Sequence, residues 1–180
     1  MRSPRTGSAC TGRCFASFRN SRPRPIPDSY WIEPGRFCAG RYPTAREDAD
    51  LVAICEAGVD CFVDLTEAGE YGLALYDGEL PDGVEYRRIT IPDYSVPSVE
   101  GMREILDALD NALAGGRTVY LHCFGGRGRT GTVVGCWLVR HGMDGPAAIE
   151  RIAEWRGDRR SPETNEQCAL ILRWTSLDRP

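Results

Sequence analysis

Lysine is missing from this chain altogether, and histidine occurs only twice, at His122 and His141. All 22 basic residues are therefore arginine, which weakens any inference from a single arginine. No apolar run approaches the roughly 20 residues of a membrane-crossing helix. The longest, Val133 to Val139, adjoins a glycine-rich stretch and reads as part of a buried helix. The first residues lack the apolar core of a secretion signal, so a soluble, cytoplasmic protein is expected. Metal-ligand spacing is missing too. Of eight cysteines only Cys10 and Cys14 lie close together, and no second Cys or His pair completes a zinc pattern. The same spacing argues against a disulfide framework. Cys38, Cys55, Cys61, Cys136 and Cys168 stand in apolar contexts, where a free thiol packs as a small hydrophobe.

What is present is unevenly spread. Residues 1–27 carry six arginines and no acid, whereas residues 28–180 carry 16 basic residues against 26 acidic ones, a net of −10. An acidic body does not suit a nucleic-acid protein, and an anion site inside it has to be built locally. The Arg-, Ser- and Pro-rich segment 1–27 is expected to be disordered or loosely attached, either as a tail or as a stretch resembling a transit peptide. The rest, residues 28–180 of a chain that is 42% hydrophobic, suits one globular domain.

Strand and helix signals alternate along it. A capping box at Thr44–Glu47 opens a helix that Gly58 stops. Asp60–Leu65 and Glu85–Ile91 read as strands. Ser98 caps a helix whose apolar positions 102, 105, 106, 109 and 113 have helical spacing. Thr118–His122 is a third strand, and Gly128–Arg140 a helix apolar nearly all round. Asp144 opens a helix running to Trp155, and Ser161-Pro162-Glu163 opens the last one. Such alternation predicts an α/β fold with a small, mostly parallel sheet flanked by helices.

One junction carries chemistry. The strand ending in His122 runs straight into Cys123-Phe124-Gly125-Gly126-Arg127-Gly128-Arg129-Thr130 and then into a helix. The strand delivers a thiol to the sheet edge, the glycines let the backbone fold tightly, and the helix adds its positive end. An anion cradle with Cys123 at its floor follows. The same surroundings favour the thiolate, which is the nucleophile. Arg129, six residues on, offers a planar fork for two oxygens of a phosphoryl group. Thr130 has a hydroxyl for the cysteine sulfur. The departing alkoxide or phenoxide needs an acid, and Asp93, in the proline-bounded loop Ile91–Pro97, is the candidate.

Cys-x5-Arg-Thr after a strand, His122 before it and the upstream Ile91-Pro92-Asp93 together resemble the protein-tyrosine/dual-specificity phosphatase superfamily, its bacterial dual-specificity-like members above all. Trp31–Gly35 and Ala39–Pro43 look like that family's opening strands. The resemblance implies a two-step hydrolysis through a phosphocysteine with no metal or cofactor. It also implies Cys123 as nucleophile, Arg129 as phosphate ligand, Asp93 as general acid and His122 as the residue that orders the loop and tunes the thiol. The substrate so implied is a phosphorylated protein (phosphotyrosine, or phosphoserine and phosphothreonine as well) or a small phosphoester. A basic residue at 127 resembles the phosphoinositide-directed members, but Phe124 takes a position that is basic in some of those.

Other readings stay open. A rhodanese-like sulfurtransferase also sets a cysteine in an anion loop, usually one residue shorter and with no need of Asp93. A phosphatase fold reduced to phosphate binding is a third class. Gln167 suits either water positioning or a capping box with Thr164. Arg127 faces either the cradle mouth or solvent, and Arg159-Arg160 reads as a solvated pair. His141 partners a helix C-terminus. Glu67 and Glu70 are assigned to a surface loop, being too acidic to greet a phosphate.

Overall fold

The computed structural model describes residues 22–44 and 49–178. Five strands, β1 (Ser29–Glu33), β2 (Phe37–Gly40), β3 (Cys61–Asp64), β4 (Glu85–Arg88) and β5 (Val119–His122), form one sheet in the order β1-β2-β5-β3-β4. β1 and β2 are an antiparallel hairpin turning at Gly35, whose φ of 75° suits glycine. The other pairings are parallel, which matches the predicted mostly parallel sheet. β4 stops at Arg88, short of the expected Ile91, although Ile89 and Ile91 still donate N–H bonds to Asp64 and Leu65.

Strand alternation separates two layers. Phe37, Ala39, Cys61, Val63, Val119 and Leu121 point to one face of the sheet, Trp31, Cys38, Phe62 and Tyr120 to the other. The first face is covered by α2 (Val99–Ala114), α3 (Gly128–Arg140), α4 (Gly145–Arg156) and α5 (Asn165–Leu177). The second is covered by α1 (Ala49–Glu56) and the long β3–β4 connection. The helix α3 is buried along almost its whole length, as its composition predicts. Gly135 in it leaves room for Ile171 of α5, because a β-carbon there would stand 2.4 Å from that side chain. Trp137 lies wholly buried and edge-on to Phe37, and truncating it to alanine would cost about 3–5 kcal/mol.

The helix starts follow capping chemistry. Ser98 caps α2 through Gly101 N, and Asp144 caps α4 through Ala147 N. The last helix differs from its expected start. Its cap is Thr164 rather than Ser161, because Thr164 and Gln167 form a reciprocal capping box and displace the opening by three residues. The box at 44–47 lies largely outside the described residues. Residues 22–27, assigned by composition to the loose segment, are mostly exposed but make contacts with the fold. Ile26 is buried, the Arg22 guanidinium lies 4.9 Å from the Trp31 ring, and Arg24 donates to the carbonyl of Trp155. An aliphatic residue and arginines with aromatic or carbonyl partners outweighed the local composition.

Candidate active site

The loop from Cys123 to Gly128 bridges β5 and α3, both set by the buried core. Its carbonyls are tied outward. Phe124 O accepts from Tyr42 N at 2.9 Å, Gly125 O from Arg156 Nη2 at 3.0 Å, and Arg127 O from Ser161 Oγ at 3.0 Å. In a trans peptide C=O and N–H point in opposite directions. The N–H groups of Gly125, Gly126 and Gly128 are therefore turned inward. None of the N–H groups of Phe124 to Arg127 finds an acceptor among the described residues. Gly126 makes this fold possible. Its φ is 66°, and a β-carbon there would stand 2.3 Å from the Gly40 backbone at the end of β2.

At the floor, Cys123 is 3% exposed. Arg129, equally buried, crosses the site with its guanidinium end gripped by Glu70. Nη1 meets Oε2 and Nη2 meets Oε1, both at 2.6 Å. Nη1 also donates to Ile91 O at 3.1 Å, and Nη2 lies 2.9 Å from Asp93 Oδ1. Nε is buried with no partner among the described residues. Burial opposes the Arg129 charge, but Glu70 outweighs it and raises the guanidinium above its usual range. The edge shared by Nε and Nη2 is thus half vacant and half held by Asp93.

Asp93 follows β4, in a turn closed by Ser95 N on Pro92 O at 3.1 Å. Tyr71 Oη donates to its Oδ2 at 2.5 Å, and Tyr94 N to its Oδ1 at 3.0 Å. Gln167 ties this loop to α5. Its Oε1 accepts from Glu163 and Thr164 N–H groups, while its Nε2 donates to Ser95 O at 3.2 Å. Of the two readings of Gln167, the capping box is formed through its Oε1 and backbone N–H, and its Nε2 is held by Ser95.

Beneath the loop, on the other face of the sheet, lies a polar cluster. His122 is fully buried, joined through Nε2 to Tyr76 Oη at 2.5 Å, with Nδ1 3.8 Å from Asp64 Oδ1. Burial pushes the imidazole down to about 4, against the pull of Asp64, so it is neutral at pH 7. Burial opposes the Asp64 charge as well, but His122 and hydrogen bonds from Tyr86 and Thr66 more than offset it.

The remaining expectations sort as follows. Phe124, 38% exposed, stands at the mouth with its ring 4.7 Å from that of Tyr71. Arg127 turns away from the mouth, its Nε 3.1 Å from Asp158. Arg160 is exposed and also pairs with Asp158. His141 sits at the C-terminal end of α3, 2.9 Å from Asp110. The hydroxyl of Thr130 is buried without a partner, so its expected bond to the Cys123 sulfur is not formed here. Glu70 is corrected outright. It is nearly buried on the Arg129 fork, because a carboxylate matches a guanidinium when no other anion is there. Tyr71, Tyr76, Asp64 and Arg156 went unnoticed. One signal was available for Glu70 and Tyr71: they follow β3 at the carboxyl end of a parallel sheet, the side on which such sheets carry sites.

A family model described as "Swiss Army Knife protein, DSP-PTPase phosphatase domain" matches residues 27–177. The chain belongs to the DSP-PTPase family. An uncharacterized protein of Methanocaldococcus jannaschii is 34% identical to this DSP-PTPase domain over 96 residues, covering 53% of this chain and 63% of that one. The dual specificity protein phosphatase CDC14B of Mus musculus is 36% identical over 121 residues, covering 63% of this chain and 24% of its own. Among solved structures, Tk-PTP in the active form superimposes with a TM-score of 0.71 at 32% identity, covering 83% of this chain and 97% of that one. The chain spans 63%, 40% and 60% of the first three curated relatives it matches. No helix among the described residues is long and apolar enough to cross a membrane.

Proposed function

We propose that this DSP-PTPase domain hydrolyses phosphate monoesters through a covalent phosphocysteine on Cys123, with aryl phosphates such as phosphotyrosine as its substrate class. The observation that carries the reading is the pairing of a buried thiol with a guanidinium edge whose Nε has no partner among the described residues, under a loop with its N–H groups turned inward.

A phosphate dianion enters with its oxygens on those N–H groups and on Nε and Nη2 of Arg129, displacing Asp93 from Nη2. In the acid role Asp93 brings the proton that the leaving group needs. The Cys123 thiolate attacks phosphorus, the P–O bond to the leaving group breaks, and the Asp93 proton goes to the departing oxygen. Water then attacks the phosphocysteine and gives a proton to the Asp93 carboxylate. The P–S bond breaks with its electron pair returning to sulfur, and inorganic phosphate leaves. Glu70 keeps the far end of Arg129 in place throughout. His122, being neutral, orders the strand end through Tyr76 and adds no charge to the thiolate's surroundings. The rings of Phe124 and Tyr71 at the mouth favour a flat, aromatic leaving group. Six free cysteines among the described residues suit a reducing compartment such as the cytoplasm.

The test is p-nitrophenyl phosphate hydrolysis in EDTA by the wild type and by Cys123→Ser. Turnover that persists in EDTA and vanishes in the variant is expected. A folded wild type without turnover sinks the reading and returns the sulfurtransferase and the binding module, with thiosulfate as the next substrate.

A further inference from the structure

Tyr71 occupies an unfavourable place. It lies in a 3₁₀ turn, Glu70–Gly72, with φ 51° between two glycines that also have positive φ. A side chain with a β-carbon in that region costs roughly 1–2 kcal/mol. Its ring is 62% exposed, so burial does not repay the strain. Two contacts explain the position. The ring lies on Phe124 of the anion loop, and the hydroxyl reaches Asp93 Oδ2. The turn thus sends adjacent side chains to two groups of the reaction, Glu70 to Arg129 and Tyr71 to Asp93.

The arrangement matters most once substrate is bound. Asp93 has three partners among the described residues: Arg129 Nη2, the N–H of Tyr94 and the hydroxyl of Tyr71. A phosphate that takes Nη2 removes the first. The second comes from the neighbouring residue and moves with the loop. Only Tyr71 then holds the carboxyl from outside its own turn, by Oδ2, which leaves Oδ1 turned to the cradle. Without that anchor the carboxyl turns freely, since the terminal torsion of aspartate is broad.

We propose that Tyr71 is a positioning residue for the acid, orienting the Asp93 carboxyl so that its Oδ1 meets the leaving oxygen. The tilted ring contact with Phe124 sets the height of the Tyr71 hydroxyl above the loop. Hydrogen bonding to Asp93 also pushes the Tyr71 hydroxyl up to about 12, so it stays a donor at neutral pH. The role rests on the reading of Asp93 as proton donor, and the experiment separates the two.

The intact chain and its Tyr71→Phe, Asp93→Asn and doubly substituted variants are assayed in EDTA on p-nitrophenyl phosphate and on phenyl phosphate, whose leaving group needs the proton more. Tyr71→Phe keeps the ring on Phe124 and loses only the hydroxyl. It is expected to lower kcat for phenyl phosphate about fivefold, as loss of one such hydrogen bond does, with p-nitrophenyl phosphate changed less than about twofold and KM unchanged. In the Asp93→Asn background it is expected to add nothing, because the two act through one carboxyl. An equal effect of Tyr71→Phe on both esters, or additive losses in the double variant, overturns the role of Tyr71 while an ester-dependent loss in Asp93→Asn leaves the acid standing. If Asp93→Asn itself loses both esters equally, the acid reading falls and the role of Tyr71 with it.

Discussion

On one face of the sheet, Val119, Leu121 and Cys123 point into a mostly aliphatic layer with Val133, Val134 and Leu106. On the other, Tyr120 and His122 point into a layer of rings with Tyr42, Phe62 and Tyr76. Neighbouring residues of one strand thus end in different chemistries. Cys123 belongs to this apolar layer and is almost wholly buried in it. The ring layer is polar at its centre, where Tyr76 Oη meets His122 Nε2 and Asp64 accepts from Thr66, Tyr86 and Arg88, while His122 Nδ1 has no hydrogen-bond partner among the described residues. The proposed nucleophile sits on the apolar face, and the face behind it sets the shape of the strand end. Separating the two keeps a buried imidazole and carboxylate from competing with an incoming anion.

Variants test that division. The largest effect is expected from Cys123→Ser, which should lower kcat at least about a thousandfold with unfolding temperature nearly unchanged, checked by phosphate release and thermal melts. A large loss of stability would mean that the thiol also belongs to the core. Asp93→Asn should lower kcat for phenyl phosphate by roughly 10²- to 10⁴-fold, the span of general acid catalysis, and p-nitrophenyl phosphate much less. Glu70→Gln keeps the shape but removes the charge from Arg129, and kcat/KM should fall about tenfold in steady-state assays. No change would reduce Glu70 to a counter-ion with no part in turnover.

The ring face should answer through stability instead. His122 ionises near 6.5 in an unfolded chain and near 4 in the fold. Between those values the unfolded chain takes up a proton and the folded one does not. Stability is therefore complete above about 6.5 and declines as pH falls toward 4, by on the order of 3 kcal/mol. Denaturant titrations at several pH values should show this slope, and His122→Asn should flatten it. Smallest is Tyr76→Phe, which should cost about 1 kcal/mol by removing one hydrogen bond, with turnover close to wild type. Turnover lost in step with stability would erase the distinction between the faces.

What could be read in advance was local. The path from Val119 through Cys123 to Arg129 is continuous in the chain, so strand, glycines and helix announce their own geometry. Asp93 was found because its loop carries its own turn chemistry. The partners that complete the site lie far off. Glu70 is 59 residues from Arg129, Arg156 is 31 from Gly125, and Tyr71 is 22 from Asp93. The parallel order β5-β3-β4 brings Glu70, Tyr71 and Asp93 beside Arg129, while α4 brings Arg156 to the loop, and composition read without that order put Glu70 on the surface. Asp64, an acid within an apolar strand, was a signal that needed the neighbouring strands to interpret.

The outward-tied carbonyls have a consequence for recognition. Because Tyr42, Arg156 and Ser161 hold the loop open from behind, its inner surface is a fixed arrangement of N–H donors facing a cation. Such a surface measures the spacing of oxygens and their negative charge, and it does not touch the central atom. Vanadate, tungstate and sulfate present the same outline, so under the proposed function selectivity for phosphorus comes from the chemistry at sulfur rather than from the fit.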